Sequence, residues 1–93
     1  MCAHMAAIVE VTVKYFAWVR ERIGTAEERV ALPKSVATVR DAIAWLKERG
    51  EGYAAAFERE SLIHAAIDHK HAAHDAPLQG AREIAFFPPI TGG

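Results

Sequence analysis

Residues 9–16 read Val-Glu-Val-Thr-Val-Lys-Tyr-Phe, an alternation of apolar and polar side chains broken only at its last position. A pleated strand returns every second residue to the same side. The run therefore predicts a β-strand with Val9, Val11, Val13 and Tyr15 on a covered face and Glu10, Thr12, Lys14 and Phe16 on the other. Such a strand needs neighbours for its backbone and a second layer for its apolar face, which commits the rest of the chain to supplying both. Phe16 is the exception, a large apolar ring on the polar side. It reads as a ring that covers a neighbour at the strand end or awaits a partner.

The following residues provide the layer and the neighbours. Residues 17–23 have helical spacing between Val19 and Ile23 and stop at Gly24, which predicts about two turns. Residues 27–32 form a second extended run ending at Pro33, expected to pair antiparallel with the first. The main helix is predicted over residues 39–49. Thr38 caps it, Asp41 lies in its first turn, Val39, Ala42, Ile43 and Leu46 make its apolar stripe, and Gly50 is expected as a left-handed stop. Trp45, at the stripe's edge, reads as a lid over the core.

Glu51-Gly52 reads as a break, residues 53–57 as one more helical turn or two, and residues 62–67 as a strand. A tight turn is expected over 68–70, a brief return strand over 71–73, and a turn carried by Pro77 and Gly80. Residues 82–87 alternate as a last strand, with Ile84 and Phe86 on one face and Glu83, Ala85 and Phe87 on the other. This order predicts an α+β fold, a mixed sheet packed on one main helix. If the first and last strands form a parallel pair at the sheet's centre, Phe16 and Phe87 contribute to one exposed apolar patch.

With 93 residues there is room for one core. Residues 1–7 are expected to be a disordered leader, 8–87 the folded domain and 88–93 an extended C-terminal tail. A net charge of −1 from 11 basic and 12 acidic side chains gives no electrostatic footprint for nucleic acid. No apolar run approaches the roughly 20 residues of a membrane span, and the start lacks a signal peptide's pattern, so a cytoplasmic location is expected.

Cys2 lies in the leader without a basic partner and is not read as a nucleophile. His4, His64, His69, His71 and His74 are read as solvent-facing, with no metal site expected. There is no phosphate loop, acid pair or nucleophile pair, so no cofactor bound by this chain is expected and the chain reads as non-catalytic.

The tail is different in kind. Pro88 and Pro89 cannot donate to a ladder, so pairing should stop at Phe87 and the chain should leave the body in an extended state. The six residues from Pro88 onward reach roughly 20 Å. Gly92 and Gly93 lack a Cβ and suit a narrow channel, with an unhindered carboxylate at the end.

Three stretches carry a resemblance: residues 13–21 (Val-Lys-Tyr-Phe-Ala-Trp-Val-Arg-Glu), Asp75-Ala76-Pro77-Leu78, and residues 83–93 ending Phe86-Phe87-Pro88-Pro89-Ile90-Thr91-Gly92-Gly93. Over about residues 8–93 the chain resembles the small subunits of molybdopterin synthase, the MoaD-type ubiquitin-like sulfur carriers with a β-grasp fold. It departs from them at Asp68, where many relatives have Asn, and at Gly80-Ala81-Arg82, and it aligns poorly over 51–61.

The resemblance implies that Gly93 is adenylated by a ubiquitin-activating-like partner that uses ATP, converted to a thiocarboxylate with sulfur from a donor, and carried into the large synthase subunit. There it would give its sulfur to a pterin precursor, in a heterotetramer of two small and two large subunits. Catalytic groups are expected on the large subunit. Gly92, Thr91 and Ile90 would thread its tunnel, and Phe16, Phe87, Pro88 and Pro89 would form the docking surface. A sulfur carrier for thiamin, cysteine or tRNA thiolation, and a ubiquitin-like protein modifier, share the tail physics and stay open at this point.

Overall fold

A computed structural model describes residues 8–89, with side chains from Glu10 onward. Residues 1–7, the side chains of Ile8 and Val9, and residues 90–93 lie outside the described residues. The elements run β1 (Ile8–Tyr15), α1 (Ala17–Ile23), β2 (Glu27–Pro33), α2 (Val39–Lys47), α3 (Glu51–Ala56), β3 (His64–Ile67), β4 (Lys70–Ala72) and β5 (Glu83–Phe87). The five strands form one sheet in the order β2-β1-β5-β3-β4. β1 and β5 are the parallel pair at its centre, with Tyr15 opposite Phe86, and all other neighbours are antiparallel.

Alternation places Val11, Val13, Tyr15, Ile84 and Phe86 on one face, where the α2 stripe of Val39, Ala42, Ile43 and Leu46 completes the core. The Phe57 ring meets Phe86 edge-on at 5.2 Å. This is the mixed sheet on a main helix that the alternation requires. None of the described helices is long and apolar enough to cross a membrane.

α2 begins where its chemistry says it should. The Thr38 hydroxyl accepts from the Asp41 N–H at 3.2 Å, and the Asp41 carboxylate accepts in return from the N–H of Thr38 and of Ala37. The next N–H groups, of Val39 and Arg40, donate to the carbonyls of Ala76 and His74, so the Pro77 loop satisfies the start of the helix. Backbone donors, that of Ala37 foremost, hold the Asp41 carboxyl below the usual carboxylate range.

Several boundaries differ from the sequence expectation. α2 ends at Lys47 and not at residue 49, because the N–H groups of Glu48 and Arg49 turn back three residues and close the end themselves. Gly50 is therefore not a left-handed stop. It is extended, with φ 162°, and its carbonyl starts α3. Nor is Glu51-Gly52 a break, since both residues belong to α3.

β3 starts at His64 and not at residue 62, after a 3₁₀ turn over Glu60–Leu62. His64 pairs with Phe87, and beyond Phe87 the prolines offer no further N–H. The hairpin turn is the two-residue Asp68-His69 pair, with φ 50° and 74°, so β4 runs one residue earlier than the predicted 71–73. β5 starts at Glu83 and not at Arg82, whose N–H, like that of Glu83, donates to the Asp68 carboxylate. An Asn could accept those two bonds equally well, which makes the departure at Asp68 chemically mild.

Gly52 has a role that its sequence context hides. A Cβ built there would stand 2.5 Å from the Arg22 carbonyl oxygen, so α1 and α3 approach as closely as they do only because residue 52 has no side chain. In a free helix alanine would be favoured over glycine by roughly 0.5–1 kcal/mol. Here Gly52→Ala is expected instead to destabilise the fold by about 1–3 kcal/mol in urea unfolding.

Asp41→Asn is expected to lower stability at neutral pH and to flatten its acid dependence. A carboxyl held below its unfolded value contributes stability above that value and loses it as the pH falls through the folded one. Denaturation midpoints of the two chains from pH 7 down to 2 check this, the gap narrowing toward the acid end.

Candidate functional site

The face of the sheet turned away from α2 carries the residues the core does not use. Phe16 follows β1 in extended conformation, donates its N–H to the Phe86 carbonyl at 3.1 Å, and accepts at its own carbonyl from Val19 and Arg20. Ala17, next in the chain, turns into α1 with a left-handed φ of 54°. The Phe16 backbone is thus held from both sides while the residue stays 46% exposed. One strand over, Phe87 is half-buried at the end of β5, and the half-buried Pro88 and Pro89 follow without secondary structure.

Continuing the Tyr15–Phe86 register by one residue brings Phe16 level with Phe87, and neither is buried under the chain's own core, as the shared-patch reading requires. The same end of the sheet holds more than these two rings. His64, opposite Phe87 on β3, stacks on that ring with 5.8 Å between centroids and 16° between planes. His71 on β4 meets the same ring edge-on at 6.3 Å. The nearest ring nitrogens of the two histidines, Nδ1 of His64 and Nε2 of His71, are 3.3 Å apart.

From sequence both histidines are expected to face solvent, whereas in the fold they stand against Phe87. A signal for His64 was available: Ile63, Ala65 and Ile67 take the alternate positions, which sends His64 to the outer face. Among the described residues no group of three or more His, Cys, Asp or Glu stands close enough to hold a metal ion.

Charged pairs flank the apolar residues on this face. Lys14, opposite Ala85, is 3.4 Å from Glu83 at the start of β5, Glu83 also faces His69 at 3.7 Å, and Arg29 pairs with Glu10 at 2.9 Å. The end from which the tail departs holds Phe16, Phe87, Ala66, Ala85 and the two histidines. An apolar patch bordered by polar groups is the form of a protein-docking surface.

A polar cluster also forms on the covered side. Both phenols, of Tyr15 and Tyr53, donate to one oxygen of Glu28 at 2.8 and 2.7 Å, and Arg49 donates to the other at 3.2 Å. Burial, and then the bond to Glu28, push the Tyr15 hydroxyl well above the ordinary phenol range. Every group is partnered, so the cluster ties β1 and β2 to α3 and the end of α2 and leaves no free base. Of the residues singled out from sequence, the structure brings Phe16, Phe87, Pro88 and Pro89 to one end of the sheet. Ile90, Thr91, Gly92 and Gly93 lie outside the described residues.

Comparison with known proteins agrees with this architecture. The ThiS family profile matches residues 13–93. The molybdopterin synthase sulfur carrier subunit of Escherichia coli K12 is 38% identical over 84 residues, 89% of this chain and 99% of that protein. The subunit of the same name from Haemophilus influenzae is 35% identical over 81 residues, 87% and 96% of the two chains.

Among solved structures, a putative molybdopterin converting factor, subunit 1, from Pyrococcus furiosus superposes with a TM-score of 0.67 at 28% identity, covering 88% of this chain and 99% of that one. SAMP1 from Haloferax volcanii superposes with the same TM-score and identity, covering 91% and 100%.

If the outer patch is reserved for a partner, its rings should matter little to folding. Phe16→Ala is expected to change unfolding free energy by less than about 1 kcal/mol. Phe86→Ala, one residue from Phe87 on the covered face, should lose about 3–5 kcal/mol in the same urea titration.

Proposed function

The chain belongs to the ThiS family, and from that premise we propose that it is the sulfur carrier subunit of molybdopterin synthase. The observation that carries this reading is the continuity of the chain at one end of the sheet. β5 ends in an outward Phe87 beside an outward Phe16, passes through Pro88-Pro89, and continues in sequence to Ile90-Thr91-Gly92-Gly93. In this account residues 8–87 are a rigid handle and residues 88–93 an arm.

A carboxylate is a poor acyl donor. An activating partner would join the Gly93 carboxylate to the α-phosphorus of ATP and release pyrophosphate. A sulfur nucleophile would then displace AMP from the acyl-adenylate and leave a thiocarboxylate. ATP is the partner's substrate and not a group held by this chain.

The large synthase subunit would receive the arm, with Phe16, Phe87, Pro88 and Pro89 at the contact and Ile90, Thr91 and Gly92 in its tunnel. Gly93 would donate sulfur to the pterin precursor for dithiolene formation, in an assembly of two small and two large subunits. The large subunit would supply the acid–base groups, consistent with a chain in which both phenols and the Glu28 and Asp41 carboxylates are engaged in structural bonds. The work is proposed to take place in the cytoplasm.

The protein-modifier alternative predicts covalent adducts between Gly93 and lysines of other proteins. Intact-mass spectrometry distinguishes the readings. With an activating enzyme, ATP and a sulfur donor, the chain should exchange one carboxylate oxygen for sulfur, and addition of the large subunit and pterin precursor should reverse the change. A chain lacking Gly92 and Gly93 should fold normally and never acquire the sulfur. Unchanged mass with a demonstrably active activating enzyme would contradict the carrier reading.

A further inference from the structure

His64 and His71 are set on neighbouring antiparallel strands, offset diagonally across the β3–β4 pair, with Nδ1 of one 3.3 Å from Nε2 of the other. Two imidazole nitrogens bound to one tetrahedral ion at about 2.0–2.1 Å stand roughly 3.3 Å apart. The pair already has the spacing of a two-point chelate. Phe87 stands against both rings, stacked on His64 and edge-on to the exposed His71, which favours the facing arrangement before an ion binds. We propose that His64 and His71 together form a binding site for one divalent late first-row transition-metal ion, of the class Cu²⁺, Ni²⁺ or Zn²⁺.

The surroundings select that class. The two rings share a shallow depression with Arg40, Ser61, Ile63 and His74. His74 Nε2 is engaged with the Ile63 carbonyl at 2.7 Å, and no carboxylate lines the depression. Hard ions such as Mg²⁺ and Ca²⁺, which require oxygen ligands, find none that is charged, and the Arg40 guanidinium opposes any cation not strongly held by nitrogen. The remaining coordination positions are left to water or to a group from outside the chain.

Chelation requires the hydrogen between the two facing nitrogens to move to the far nitrogen of its ring. A neutral pair releases no proton, and each ring that starts charged releases one. The site does not depend on the proposed function, although an ion held there would sit beside Phe87 on the face that the docking reading uses.

The test titrates Zn²⁺, and then Cu²⁺, into the full-length chain carrying Cys2→Ser and His4→Gln, so that donors near the N-terminus do not compete. The histidine ring resonances are followed by NMR and the stoichiometry by calorimetry. One ion per chain is expected, with Zn²⁺ shifting the rings of His64 and His71 before those of His69 and His74, and Cu²⁺ binding more tightly than Zn²⁺. His64→Gln or His71→Gln should each weaken binding at least about 10-fold, while His69→Gln should not. Absence of one-to-one binding, or binding unchanged in both the His64 and His71 variants, overturns the proposal.

Discussion

The parallel pairing of β1 with β5 is the constraint on which the other features depend. Tyr15 opposite Phe86 fixes the parity of both strands, so the residue before each outward position is buried in the core. From that single register come a covered face that closes on α2 and an outer face that receives Phe16 and Phe87 together. A shift of one residue in either strand would bury one phenylalanine of the outer pair and expose Tyr15 or Phe86. The prolines after Phe87 then end the ladder at the point where the outer rings stand.

The remaining contacts keep that register from slipping. Asp68, in the β3–β4 turn, accepts two backbone N–H groups at the start of β5 and donates its own to the Glu83 carbonyl, which clamps β5 at its first residue. The Glu28 cluster fastens β1 and β2 to the helices through two phenols and Arg49, whose guanidinium also lies over the Trp45 and Tyr53 rings. The loop before β5 gives its carbonyls to the first turn of α2. These groups act on the sheet's position, as a rigid handle in the proposed reading requires.

Much of this was legible because alternation and capping are local signals. The face assignments of β1 and β5, the Thr38 cap, the Gly24 stop and the outward phenylalanines all follow from spacing within a few residues. What was not legible depended on distant partners. Gly52 reads as a break until the Arg22 carbonyl is seen above it. Gly50 reads as a stop until α2 is seen to close by itself. The start of β3 was misplaced because it is fixed by where β5 stops, some twenty residues later in the chain. His64 and His71 read as solvent-facing because nothing in their own neighbourhood names Phe87 as their shared contact.

The account divides the molecule into a docking patch that belongs to the body and a terminal carboxylate that belongs to the arm. The measurement that tests this division most directly is calorimetric binding to the large synthase subunit, comparing a Phe16→Ser, Phe87→Ser chain with one that lacks Gly92 and Gly93. The account predicts that the patch variant loses at least about 10-fold in affinity while the shortened chain still docks. Retained affinity in the patch variant, with loss in the shortened chain, would contradict it.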